Sequence, residues 1–87
     1  MSTVRLVVDP YAPVPAYVQV ANLIEARIKA GELRRLMPIP SELHLQQEYS
    51  VSRGTVRHAV ALLRERGLVF TVQGRGTFVG PPPSGDA

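Results

Sequence analysis

The sequence predicts a small α+β domain in which three helices precede a two-stranded β-hairpin. Three observations lead there. Apolar residues recur at helical spacing in three separate stretches, and serines stand as caps before the second and third. After Gly67 the period drops to two on either side of a glycine-rich tip. With 87 residues there is room for one modest core, and folding should bury roughly 60–65% of the extended chain's surface. Hydrophobic residues make up 45% of the chain and charged residues 20%, the balance of a folded protein, not a disordered one.

Residues 1–15 are expected to form an extended lead-in. Val4, Arg5, Leu6, Val7 and Val8 suit an edge strand or a segment lying along the body, and Pro10, Pro13 and Pro15 end it. The folded domain is expected over residues 16–80. Its first helix runs from about Ala16 to Ala30, with Tyr17, Val20, Ala21, Ile24 and Ile28 on the stripe to be buried. Gln19, Asn22, Glu25, Arg27 and Lys29 then face mostly outward. Pro15 suits the opening turn and Gly31 the stop.

Pro38 and Pro40 hold the next connection extended, with Ile39 pointing inward as a very short strand. Ser41 is a good N-cap for a second helix running to about Glu48, with Glu42 in its favourable first turn and Leu43 and Leu45 as its apolar positions. A three-residue turn, Tyr49-Ser50-Val51, leads to Ser52, which caps a third helix over residues 53–66. Its buried face is Val56, Ala59, Val60 and Leu63, and Gly67 is its stop. Residues 68–72 and 77–79 read as the strands of a hairpin with its tip at 73–76. Phe70 and Phe78 help to cover the helices, and Tyr17 is a third aromatic core candidate. Residues 81–87, rich in proline, have nothing to bury and are expected as a flexible tail.

Charge is distributed unevenly. Residues 1–33 are neutral, whereas residues 34–75 carry seven arginines against three glutamates, a net of +4. Nine of the ten basic residues are arginine, the side chain suited to bidentate contacts with phosphates and guanine edges. Two short helices joined by three residues, the second opening with a cap and arginines, make a helix-turn-helix, and the hairpin that follows makes it winged. Ser52 places the positive end of the third helix at the surface, where it suits a phosphate. Opposite the buried stripe stand Gly54, His58 and Ala61, flanked by Arg53 and Arg57. A ridge of small residues there lets a helix sit deep in a major groove. Arg75, between Gly74 and Gly76, gives the hairpin a thin basic tip able to enter a minor groove.

Several phrases carry a family resemblance. They are Pro40-Ser41-Glu42, then Val51-Ser52-Arg53 with Thr55-Val56-Arg57 and Ala59, then Leu62-Leu63 and Arg66-Gly67-Leu68-Val69, then Gly74-Arg75-Gly76-Thr77-Phe78-Val79. Upstream, Pro15, Tyr17, Gln19, Ile24, Ile28 and Gly31 fit the same pattern. The chain resembles the winged helix-turn-helix domain of the GntR family of bacterial transcription regulators over about 65 of its 87 residues. The resemblance implies a sequence-specific reader of double-stranded DNA, a repressor, with the third helix in the major groove and the wing tip near the minor groove. It implies base or phosphate contacts by Arg53 and Arg57 and a hydroxyl from Thr55 near the backbone. It also implies wing contacts by Gly74 and Arg75, and a cap by Ser41 close to a phosphate. Ser52, Gly54 and His58 complete the expected DNA-binding set.

Four departures from the family pattern bear on that expectation. Arg35-Leu36 stands in place of proline-glycine, which predicts a turn built differently. Leu43 replaces an arginine that often touches DNA. Gln46 replaces a small residue near the crossing of the second and third helices, which predicts a looser or turned crossing. Gly54 replaces a common threonine, at a cost of about 1 kcal/mol in helix propensity against alanine. Family members usually continue into a larger C-terminal effector and dimerisation domain. No small-molecule effector site is assigned in this sequence, and two copies are expected to pair on an inverted-repeat operator.

Other classes find little support. The acidic residues are scattered, neither histidine has a spaced metal partner, and no phosphate-binding glycine loop precedes a helix with lysine, so no enzyme, metal site or cofactor is expected. Cysteine is absent, and no apolar run reaches membrane-spanning length, which predicts a cytoplasmic protein without a membrane partner. The competing reading is a winged-helix module for protein–protein interaction. Basic residues concentrated on the third-helix face favour DNA, and the deep, narrow groove of duplex RNA would not admit that helix.

Overall fold

The computed structural model describes residues 8–83. Val4, Arg5, Leu6 and Val7 of the expected edge strand, and residues 84–87 of the expected tail, lie outside that range. Helix α1 spans Ala16–Lys29, α2 Glu42–Tyr49 and α3 Arg53–Glu65; strands β1, Val69–Val72, and β2, Gly76–Val79, follow. The strands pair antiparallel in the register Val69↔Val79, Phe70↔Phe78, Thr71↔Thr77 and Val72↔Gly76.

Pro15 is the N-cap of α1, where its missing N–H leaves no helical bond unmade, and its carbonyl accepts from Val18 and Gln19 at 3.0 and 3.1 Å. The lead-in is not extended over residues 9–12. Instead Ala12 N–H donates to the Asp9 carbonyl at 3.2 Å and Tyr11 N–H to Asp9 Oδ1 at 2.9 Å, closing a turn. Gln19 fastens this turn to α1. Its side chain accepts from Asp9 N–H and donates to the Asp9 and Val14 carbonyls at 2.7–2.9 Å, so it is half-buried, not outward-facing.

Serine caps open the other two helices, as their side-chain oxygens must if the first-turn N–H groups are to be satisfied. Ser41 Oγ accepts from His44 N–H and Ser52 Oγ from Thr55 N–H, each at 3.1 Å. Helix α2 runs one residue beyond expectation, so the turn is Ser50-Val51-Ser52 and Tyr49 belongs to the helix. Ser50 takes a left-handed conformation, φ 55°, and with Val51 donates to the Gln46 carbonyl. Leu43 is corrected from a core position to an exposed one, 61% accessible, because α2 turns only Leu45 and Tyr49 inward.

The core joins the three helices and β1. Val20, Ala21 and Ile24 of α1 meet Leu45 and Tyr49 of α2, then Val56, Ala59, Val60 and Leu63 of α3, and Val69 of β1. Tyr17 and Ile28 pack at its margin, partly buried. Phe70 and Phe78 are also only partly buried and stack on each other with ring centroids 5.8 Å apart. Residues 36–39 lie along β2, but as a bridged connection and not as the short strand expected at Ile39: one isolated bridge joins Pro38 to Phe78. Leu36 and Ile39 N–H groups donate to the Val79 and Thr77 carbonyls at 2.9 and 3.0 Å, and Val79 N–H donates to the Met37 carbonyl at 2.9 Å.

Two arginines tie the helices together, and one of them, Arg27, was expected to face outward. Arg27, its side chain only 13% exposed, donates to Glu32 at 2.8 Å, Glu48 at 3.2 Å and the Tyr49 hydroxyl at 3.1 Å. Burial pushes the Tyr49 phenol up, against the pull of Arg27, so the hydroxyl remains neutral and accepts from the guanidinium. Arg66 Nη1 reaches back from the end of α3 to Asn22 and Glu25 of α1 at 2.9 and 2.8 Å. The hydrogen bond from Lys29, joined by the Arg66 charge, holds the Glu25 carboxyl below the usual carboxylate range.

The turn after Leu33 holds a leucine in the left-handed conformation that favours glycine: Leu36 has φ 69°. A left-handed conformation costs an ordinary residue roughly 1–2 kcal/mol, whereas glycine returns part of that through unfolded-state freedom. Leu36→Gly is therefore expected to raise stability by about 0.5–1 kcal/mol, read as a higher urea midpoint at unchanged slope. An unchanged or lower midpoint would show that the half-exposed Leu36 side chain stabilises more than its backbone costs.

Candidate nucleic-acid interface

Because α3 buries Val56, Ala59, Val60 and Leu63, its remaining surface divides into three bands. The outermost band carries Gly54, His58, Ala61 and Glu65. Toward α2 and the hairpin lie Arg53, Arg57 and Arg64, with Arg57 and Arg64 facing Thr71 and Thr77 across a groove. Toward α1, His58 and Leu62 share a recess with Tyr17. Of the predicted set, Ser41, Ser52, Arg53, Gly54, Arg57, His58, Gly74 and Arg75 are exposed and Thr55 is half-buried.

The fold brings these residues to adjoining positions. The helix-turn-helix sets the start of α2 beside the start of α3, and the hairpin returns its tip to the same side, where Arg75 and Ser41 line one recess with Pro40 and Glu42. Arg53 has a partner within the chain: its Nε donates to Glu42 Oε1 at 3.3 Å. That contact uses one donor and leaves the Nη groups without a partner among the described residues, so the ion pair aims the guanidinium without consuming it. Both side chains are substantially exposed, and such a pair contributes little to stability. Arg57 has no ion-pair partner among the described residues.

The Thr55 hydroxyl is engaged locally, 3.0 Å from Ser52 Oγ, and so reinforces the cap. His58 does not simply face solvent. Its ring lies on that of Tyr17 with centroids 3.5 Å apart and planes 5° from parallel. Gly74 holds the tip with φ 80°, a conformation closed to valine, while Arg75 N–H donates to the Val72 carbonyl at 2.9 Å. The Glu42–Arg53 pair and the Tyr17–His58 stack were not found by sequence reasoning. Nothing in the spacing of residues eleven or forty-one apart signals either. Tyr17 continues the buried stripe of α1, which hides its second role beneath His58.

Gly54 sits in the first turn of α3, and a methyl group built on it meets nothing closer than Ser52 Oγ at 3.9 Å. Gly54→Ala is therefore expected to raise the stability of the free protein by about 0.5–1 kcal/mol, measured by chemical denaturation. A loss of stability would mean that the added methyl disturbs the cap.

The comparisons with known proteins agree with this geometry. Residues 16–79 match the family described as bacterial regulatory proteins, gntR family. The HTH-type transcriptional repressor NagR of Bacillus subtilis (strain 168) is 40% identical over 75 residues, covering 86% of this chain and 31% of NagR. The mannosyl-D-glycerate transport/metabolism system repressor MngR of Escherichia coli (strain K12) is 43% identical over 65 residues, covering 75% of this chain and 27% of MngR. The chain thus spans a third or less of the length of these curated relatives. A crystal structure of AraR(DBD) in complex with operator ORX1 superposes with a TM-score of 0.77 at 38% identity, covering 85% of this chain and 94% of that one. Its winged helix-turn-helix fold is therefore shared with that domain, and the chain belongs to the gntR family of bacterial regulatory proteins.

Proposed function

We propose that this chain is the sequence-specific, duplex-DNA-binding unit of a bacterial transcription repressor, acting in the cytoplasm by occupying DNA and not by catalysis. One observation carries the reading. The helix whose apolar face is locked into the core presents arginines on its exposed side, beside a basic hairpin tip and two serine-capped helix starts. In this reading α3 lies in the major groove with Gly54, His58 and Ala61 toward the base edges. Arg53 and Arg57 reach guanines or phosphates, Thr55 lies near the backbone, and Gly74 and Arg75 enter the minor groove. Ser41 and Ser52 offer helix N-termini to phosphates. The operator complex among its structural neighbours supports this assignment.

The test is duplex binding at several salt concentrations, with an unrelated duplex and an RNA duplex as controls. Arg53→Ala and Arg57→Ala are each expected to weaken specific binding by about 1–3 kcal/mol where the contact is bidentate to guanine. Gly54→Ala, although more stable, should also bind more weakly. A folded double arginine variant with unchanged affinity for its selected site would overturn the assignment.

A domain of this size covers few base pairs, and two copies on inverted half-sites roughly 34 Å apart would join two weak contacts into one strong one. Sedimentation of the protein with a palindromic duplex is expected to show two chains per duplex. A single chain bound at saturating protein would exclude the pairing.

A further inference from the structure

We propose that the groove between α3 and the hairpin is a further seat for a DNA backbone phosphate, with Arg64 and Thr71 as its contacts. This rests on the duplex-DNA reading and extends the interface beyond the residues that carry it. Arg57 and Arg64 stand seven residues apart on one flank of α3, roughly 10 Å along the axis, and both line the groove with Thr71 and Thr77. They differ from the other arginines of the helical body. Arg27, Arg53 and Arg66 each have a carboxylate partner, whereas Arg57 and Arg64 have none among the described residues. Glu42, which also borders the groove, is engaged by Arg53.

The opposite wall supplies hydroxyls. Thr71 and Thr77 are cross-strand partners, and their Oγ1 atoms are 3.1 Å apart. Two hydroxyls sharing one hydrogen bond use one O–H and leave the other to donate elsewhere. The floor is Val60 and the outer border Ala61, both small enough for the groove to admit a ligand between its walls. An unpaired guanidinium across the groove from a hydroxyl with an O–H to spare suits a phosphodiester oxygen, and such a contact carries no sequence information. Arg57 is then shared between the base edges and the backbone, and Arg64 serves the backbone alone.

The experiment compares wild type, Arg64→Gln, Arg64→Lys and Thr71→Val, with Arg34→Gln as a control on another surface. Each binds a duplex selected from a random pool and an unrelated duplex over a range of salt concentrations. Arg64→Gln is expected to lose the same factor, roughly three- to tenfold, on both duplexes, and to lower the salt exponent by about 0.9, one phosphate's worth. Arg64→Lys should restore the exponent. Thr71→Val should lose affinity on both duplexes with the exponent unchanged. Wild-type affinity and exponent in Arg64→Gln would overturn the seat while leaving the DNA reading intact, as would a loss confined to the selected duplex. Absence of salt-dependent duplex binding by the wild type would instead overturn the DNA reading itself. Because both positions are exposed, equal thermal midpoints among the variants will show that the losses are not unfolding.

Discussion

Everything at the interface depends on how α3 is gripped. Four of its side chains, Val56, Ala59, Val60 and Leu63, are buried among α1, α2 and β1, and truncating the largest of them, Leu63, to alanine typically costs about 2–5 kcal/mol. In a domain this small, that is a large part of the total stability. The grip fixes the helix about its own axis. Rotation by one residue would expose an apolar side chain and bury an arginine, so the band carrying Arg53, Arg57 and Arg64 has one possible direction.

The charged residues divide along the same line. Arg27 and Arg66 are spent on the frame, one joining α1 to α2 through Glu48 and Tyr49, the other joining α3 to α1 through Glu25 and Asn22. The arginines on the hairpin side of α3 are left largely uncommitted. Even Arg53, held by Glu42, is held through one nitrogen only. A solvated basic surface would not require this segregation. It follows naturally if the frame and the ligand compete for the same side-chain type and only the unpaired members meet a polyanion.

Much of the fold was legible because it rests on local rules. The stripe of α3 was read in full, since its four apolar residues follow a strict helical period, and Ser41 and Ser52 announced the starts of their helices. Glycines marked the hairpin tip. What failed depended on contacts distant in sequence. Leu43 reads as apolar and therefore inward, but an eight-residue helix seated by Leu45 and Tyr49 has no inward room for it. Arg27 reads as a solvent-facing charge, and only the approach of Glu48 and Tyr49 from another helix makes it interior. Leu36 shows the converse: its backbone conformation is set by the pairing of residues 36–39 with β2, which the side chain resists but does not prevent. At the interface, residue identities could be read in advance, but not their commitments. Tyr17 under His58 and Glu42 beside Arg53 came from tertiary placement alone.

In the binding mode we propose, α3 occupies a major groove while the hairpin tip occupies the adjoining minor groove. Methylation interference on a selected duplex reads both at once, because dimethyl sulfate marks guanine N7 in the major groove and adenine N3 in the minor groove. In that mode, N7 methylation within each half-site blocks binding, and N3 methylation does so in the minor groove next to it. Binding indifferent to N7 methylation throughout the site would place α3 outside the major groove and contradict the account.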